Sequence, residues 1–359
     1  MKKLLFSLVA LLFCALTTTF AQSPLVATLS HNDTVSVYYG RSAFQSAYNA
    51  STHGDVITLS SGSFDVPSTI TKNITIRGAG MEKDSVNNVF PTILMGNFTV
   101  YTPSDAIAGR LMMEGVHCNG IMDLGRNGTG YSSQYTLKNS LFIKCRFTTI
   151  FGAAQFTGYT NSSYVTTWRD VRFIQCLVTK SLTMAAGNPI FMNCTIFSPT
   201  KNTASESHSS TNLKCEFFNC ILVAPGGIVH SEFSNSILWG SNKLASSNVA
   251  YQCVANYTGT TTGDMFANLI GDLGNVSLSD STALFKTFRG TYSETETFEL
   301  TDSAKVKYLG TDGTQVGIYG GTLPFSPQVS MPQIKKFKVA PKSTEDGKLS
   351  VEIEVSAAE

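Results

Sequence analysis

Phe142-Ile143-Lys144-Cys145, Phe173-Ile174-Gln175-Cys176, Phe191-Met192-Asn193-Cys194, Phe217-Phe218-Asn219-Cys220 and Phe233-Ser234-Asn235-Ser236 are five variants of one phrase. Their spacing of roughly 16 to 31 residues is the range in which one supersecondary unit stacks on the next and hides a face it cannot bury alone. A helical repeat would need long segments with 3.6-residue spacing. These segments are short, β-branched and aromatic, and they alternate, as in Val171 and Phe173 or Cys215 and Phe217. Each copy therefore reads as one β-coil.

In a stacked coil, each side chain lies one strand spacing from its equivalent in the next. Ladders of like residues follow, with Phe on Phe and Cys on Cys inside and Asn193, Asn219 and Asn235 at the bend just before. Asn suits that bend because it tolerates a left-handed backbone and can bond a neighbouring turn. A β-sandwich with chance likeness among its strands leaves a Phe three residues before Cys, four times over, without a cause.

Outward from this core, composition sets bounds. The chain has 359 residues, 42% hydrophobic and only 14% charged, with a net charge of +1. No basic excess or stripe points to nucleic acid. At the start, Lys2-Lys3, the apolar run Leu4 to Leu16 and Thr19-Phe20-Ala21 read as a secretory signal over residues 1–21, cleaved before Gln22. Phe13 stands where a lipoprotein signal ending at Cys14 would want a small residue, so simple export is expected, to the periplasm, cell surface or medium. No later stretch approaches the twenty or so apolar residues of a membrane span. Setting Cys14 aside leaves seven of the eight cysteines, an odd number, four of them at one repeat position. Buried apolar thiols in a ladder are expected, not a disulfide framework.

Ser42 and Gln45 have capping-box spacing, and Phe44, Ala47 and Tyr48 share a helical face, which predicts a short helix ending near Gly54 and covering the open end of the first coil. Strands and turns then follow through Gly54-Asp55-Val56-Ile57, Gly62-Ser63-Phe64 and Ile74-Thr75-Ile76-Arg77-Gly78-Ala79-Gly80. This run, with the coils after it, resembles the right-handed parallel β-helix proteins of the pectin-lyase-like superfamily over roughly residues 42 to 255. The motifs concern the scaffold, not chemistry. From Asp264 to Gly321 the chain is similar to the closing segment of exported bacterial β-helix proteins, with Ser303-Ala304-Lys305 where such members often have Ser-Pro-Ala. Pro324, Pro327 and Pro332 mark a linker, and alternation on either side of Asp346-Gly347 signals a β-hairpin expected to dock on the solenoid. The expected organisation is all-β: a right-handed parallel β-helix over 22–322 with an N-terminal capping helix, then linker and C-terminal β-hairpin over 323–359.

The resemblance implies polysaccharide chemistry only where a site is present. Pectin hydrolases of the superfamily carry clustered aspartates, and no Asp-Asp pair or Asn-Thr-Asp occurs in this chain. Thr149-Ile150-Phe151-Gly152 echoes a pectin-esterase phrase, but threonine stands where that family has its carboxylate. Pectate-type lyases need calcium-binding carboxylates and a basic residue as base. Arg146, Asp170, Arg172 and Lys180, with Lys144, supply these types on consecutive coils, and calcium is implied only under that reading. Otherwise no cofactor or metal is expected. Glu206 with His208, and His230 with Glu232, read as surface pairs.

The remaining candidate is aromatic. Tyr131 and Tyr135 precede one coil, and Tyr159, Tyr164 and Trp168 precede the next, so stacking would align them as a platform for sugar rings or, equally, as packed loop cores. Two functions follow: an exported, non-catalytic protein that binds a glycan or another extracellular partner, and a polysaccharide lyase acting on an acidic polymer.

Overall fold

A computed structural model describes residues 25–85, 89–101, 110–125, 136–152, 167–184, 186–201, 214–258, 264–267, 269, 271–328, 333–339, 342–343 and 346–356. The chain forms a parallel β-helix. Sheet one takes a strand from each coil, Val56–Leu59, Thr75–Arg77, Leu111–Glu114, Thr136–Ile143, Thr167–Ile174, Ile190–Met192, Cys215–Phe218, Ser231–Ser234, Val249–Tyr251 and Gly271–Leu273, each parallel to the next. Sheet two takes the strands that follow them, from Gly62–Asp65 through Val116–Leu124, Arg146–Phe151, Leu177–Met184, Thr195–Phe197, Ile221–Val223 and Ile237–Gly240 to Val276–Leu278. The longer strands of sheet two bend at a register shift and pair again beyond it, adding a narrow third face.

The repeated phrase sits where its chemistry requires. Phe142, Phe173, Phe191, Phe217 and Phe233 are in register and stack nearly parallel, with centroids 4.8, 4.8, 4.9 and 5.1 Å apart. That spacing is the strand spacing itself, so identical rings fit one above another, each pair contributing about 0.5 to 1.5 kcal/mol beyond its buried area. The stack ends at Met113 on one side and Ala250 on the other. All seven described cysteines are buried and none is in a disulfide. In the ladder each thiol donates to a carbonyl of the preceding coil: Cys176 to Phe142, Cys194 to Phe173 and Cys220 to Phe191, each at 3.4 Å. Ser236 occupies the fifth place and donates in the same way to Phe217 O at 3.3 Å.

The residue before each ladder position turns the chain from sheet one to sheet two in the left-handed region: Lys144, Gln175, Asn193, Asn219, Asn235 and Gln252 have φ between 48° and 53°. Four side chains of this corner row reach a partner that the sequence reading did not anticipate, among them Lys144, whose Nζ donates to Gln328 O. Asn193 Nδ2 donates to Ile318 O and Gly320 O, Gln175 Nε2 to Leu323 O and Pro324 O, and Asn235 Oδ1 accepts from Thr311 N. The last strand of the coils is Val276–Leu278, within the segment that resembles a family closing segment. The chain then folds back along the solenoid, and Ser303-Ala304-Lys305 lies in a short helix, Asp302–Lys307.

This return segment builds a second core outside sheet two. Leu284, Phe285, Phe288, Phe298, Leu300, Tyr308, Val316 and Ile318 pack on Leu177, Phe197, Ile221, Val223, Ile237, Trp239 and Val254. Gly290 is required for the approach: its φ is +93°, and a Cβ there would lie 2.5 Å from Trp239 Nε1. Sheet two is thus covered on both faces, which is why its strands read as continuous apolar runs such as Ile221-Leu222-Val223 and Ile237-Leu238-Trp239.

At the N-terminus the helix Ala43–Ala50 buries Ala43, Phe44, Ala47 and Tyr48, as expected, but Ser42 makes no side-chain cap and Gln45 instead donates to Val66 O at 3.1 Å. A hairpin missed by sequence reading completes the cap. Val26–His31 pairs antiparallel with the first coil strand Val56–Leu59, and Thr34–Tyr39 pairs on its far side through a two-residue turn at Asn32 and Asp33, both at positive φ. At the other end of the chain, Gln333–Val339 and Val351–Ser356 form the expected antiparallel hairpin. Val351 and Ile353 are about half exposed, at 48% and 55%, so the face expected to dock on the solenoid is open at these two residues.

Candidate functional site

On the outer face of sheet one, Arg110, Asn139, Ser140, Leu141, Asp170 and Arg172 line a cleft of about 470 Å³. Its shape comes from one local device used twice. Lys138 pairs with Arg169 and Ser140 with Val171, leaving Asn139 beside Asp170 at left-handed φ of 47° and 54°. Asn and Asp accept that conformation more readily than other residues with a side chain. Each inserts an extra outward residue, so the strand has two consecutive outward positions before alternation resumes. Arg110 precedes Leu111, the partner of Ser140, and therefore continues the row from Asp170 and Asn139 onto a third coil. Two residues further along, Met112, Leu141 and Arg172 form the next row.

The same device decides between the two alternatives for Trp168, platform or packed core. Counting alternate residues back from Phe173 puts Trp168 outside, but the extra residue at Asp170 reverses parity. The indole is fully buried, in register with buried Leu137, and its Nε1 donates to Leu124 O at 3.2 Å. It is core, and no sugar can stack on it. Tyr131, Tyr135, Tyr159 and Tyr164 lie outside the described residues, as does His208.

The four charged candidates are not brought together. Asp170 and Arg172 share the cleft, while Lys180 is exposed at the bend in Leu177–Met184 and Arg146 lies on sheet two. Arg146 is 8% exposed, and both its terminal nitrogens donate to the carboxylate of Glu294 on the return segment. Its guanidinium also lies over the Tyr292 ring, 5.3 Å from the centroid. His117 is its neighbour in register. Burial pushes His117 down to about 4, and the Arg146 charge adds to that effect. Burial likewise raises Glu82, against the pull of Arg146, and raises Tyr292. The Arg146 hydrogen bonds hold Glu294 below the usual carboxylate range. Burial opposes the charge on Arg146, but its bonds to Glu294 together with the pull of Tyr292, Glu294 and Glu82 raise it above the ordinary arginine value. The arrangement is a polar lock between solenoid and return segment. Sequence reading missed Glu82, His117, Tyr292 and Glu294 because Glu294 and Arg146 are far apart in the chain.

The cleft offers two guanidiniums, one carboxylate and an amide around a leucine, while the buried Ser140 hydroxyl donates to Lys138 O at 3.2 Å. Such a set can bind hydroxyl groups and an anion. Calcium does not fit it, since a hard cation wants six to eight oxygen ligands and Asp170 is the one carboxylate present beside two fixed positive charges. Among the described residues, no group of three or more His, Cys, Asp or Glu side chains is placed to share a metal ion. No described helix is long and apolar enough to cross a membrane. Comparison with protein-family models, curated proteins and solved structures found no match to this chain.

Proposed function

We propose that this is an exported β-helix protein that binds a carbohydrate carrying acidic groups in the sheet-one cleft. The observation that carries the reading is the convergence of Arg110, Arg172, Asp170 and Asn139 around one concavity. Guanidinium forks match carboxylate or sulfate groups in geometry as well as charge. Asn139 and Asp170 supply the acceptors and donors that sugar hydroxyls need. The positions repeat at the strand spacing of about 4.8 Å along the solenoid, which suits an extended polymer laid across the coils.

A second reading is a polysaccharide lyase acting on the same class of polymer by β-elimination. It is favoured by one fact, that a carboxylate and a basic residue, Asp170 and Arg172, share the cleft. One experiment addresses both. Binding to acidic and neutral polysaccharides is measured at low and high salt for the wild type and an Arg110→Ala/Arg172→Ala double variant, with ultraviolet absorbance followed for unsaturated product. The binding reading expects retention of acidic polymers alone, weakened by salt and abolished in the double variant, with no absorbance change. Growth of absorbance moves the assignment to the lyase. Equal retention by wild type and double variant overturns both.

A further inference from the structure

Among the described residues, the outermost strand of sheet one, Thr34–Tyr39, pairs along one side only, and its sequence carries none of the devices that usually protect an open edge. Edge strands are commonly blunted by lysine, proline or a bulge. This strand reads Thr-Val-Ser-Val-Tyr-Tyr, five good strand formers and a serine, with no charge and no proline. Val35, Val37 and Tyr39 form a stripe on one face and are 64%, 46% and 71% exposed. The inner side of the strand is occupied: Gly40 N donates to Leu25 O, and the register runs from there to His31 opposite Thr34. Because bonding direction alternates along an antiparallel ladder, the even-numbered residues face the partner strand. The N–H and C=O groups of Val35, Val37 and Tyr39 therefore point away from the molecule.

We propose that this edge pairs antiparallel with the same strand of a second copy, with Val37 on the two-fold axis. That register is the one in which the strand complements itself. Val35 of each copy lies opposite Tyr39 of the other, a β-branched residue against an aromatic on one face, and Val37 meets Val37. All three outward-facing residues exchange N–H···O=C pairs with their counterparts. Just beyond the strand, Asp33 of each copy comes opposite Arg41 of the other, so opposite charges close both ends. Asp33 is exposed, and Arg41, bonded through Nε to Asp65 at 2.7 Å, is 63% exposed. Gly40, opposite Thr34, has no atom near its Cβ position and leaves room for the approach. An isologous contact of this kind closes at two copies and joins both sheet-one ladders into a single sheet. The interface is one strand wide, so association should depend on concentration.

Sedimentation velocity across a hundredfold range of protein concentration should show a monomer converting to a dimer. Val37→Lys sets two like charges on the axis and should shift the midpoint at least tenfold upward. Arg41→Asp, opposite Asp33, should do the same, and Asp33→Arg in the same chain should restore association. Val37→Cys gives a test of register: an axial pair is about 5.5 Å apart between Cα atoms, within reach of a disulfide, so mild oxidation should cross-link two copies. Ser36→Cys, whose counterpart is Tyr38, should cross-link at least tenfold more slowly. The seven described native cysteines are buried and will not compete. A monomer at every concentration, or equal cross-linking at positions 36 and 37, overturns the proposal.

Discussion

Along the outer face of sheet one the coils present Leu141, Arg172, Ile190, Glu216 and Glu232 in one row, while on sheet two the corresponding row is Arg146, Leu177, Thr195, Ile221, Ile237 and Val254. Both rows belong to the same solenoid and point away from the same inner core. The first meets solvent and holds the cleft. The second is roofed by the return segment, and its single arginine is neutralised by Glu294 where the roof meets the early coils. The contrast teaches that a β-helix has two potential cores. Which outer face becomes the second is written in whether the strands alternate or run apolar throughout.

The largest effect is expected where the two sheets share their interior. Phe217→Ala empties one place in the five-ring stack and should cost about 3 to 5 kcal/mol in denaturant unfolding. A loss below about 1 kcal/mol would mean that the ring is not inward. Next, Ile237→Ala removes methyl groups from the roofed face and should cost about 2 to 4 kcal/mol, as a core substitution does, despite lying outside the solenoid. If the return segment were loosely laid, the cost would fall to that of a surface change, and limited proteolysis would release residues 281–325.

The polar lock sharpens the comparison through pH. His117 faces Arg146 and Glu294, with Glu82 and Tyr292 completing the group, and its folded value is depressed to about 4. The unfolded imidazole titrates near 6.5, so between these values the unfolded chain binds more protons and stability falls as pH is lowered. Glu294, also depressed, adds a loss as pH drops through the carboxylate range, whereas Glu82, raised by burial, acts in the opposite sense. Wild type should lose on the order of 1 kcal/mol between pH 6.5 and pH 5 that His117→Gln does not lose. Identical pH profiles would place His117 in free contact with water. The smallest effect belongs to the open face: Arg172→Ala should change stability by less than about 0.5 kcal/mol, with its consequence confined to binding in the cleft.

Much of this fold was legible because repetition multiplies a weak local signal. Phe three residues before Cys predicts an inward stack, and the corner residue before each thiol predicts a left-handed bend; both are present. The site was legible in part. Asp170 and Arg172 carried the right chemistry, and Asn139, three residues before Phe142 as Asp170 is three before Phe173, is the signal that would have shown a shared bulge. Of the two alternatives for Trp168, platform or packed core, the structure shows the core, because one left-handed residue at Asp170 turns the indole inward. The corner side chains were expected to bond neighbouring turns, yet Asn193, Asn235 and Gln175 bond the return segment instead.

The sequence by itself determined the coil, its inward residues and the reduced, buried state of its thiols, because these depend on contacts between equivalent positions a repeat apart. Tertiary structure alone decided which segment covers the apolar outer face of sheet two. That choice depends on where residues 281–325 travel after the last coil, and on an ion pair between Arg146 and Glu294 that no local pattern encodes. Periodicity reports what a residue meets in its own neighbourhood, whereas a roof laid back over the coils from Val254 to Arg146 is fixed by the summed burial of apolar groups drawn from both ends of a long separation.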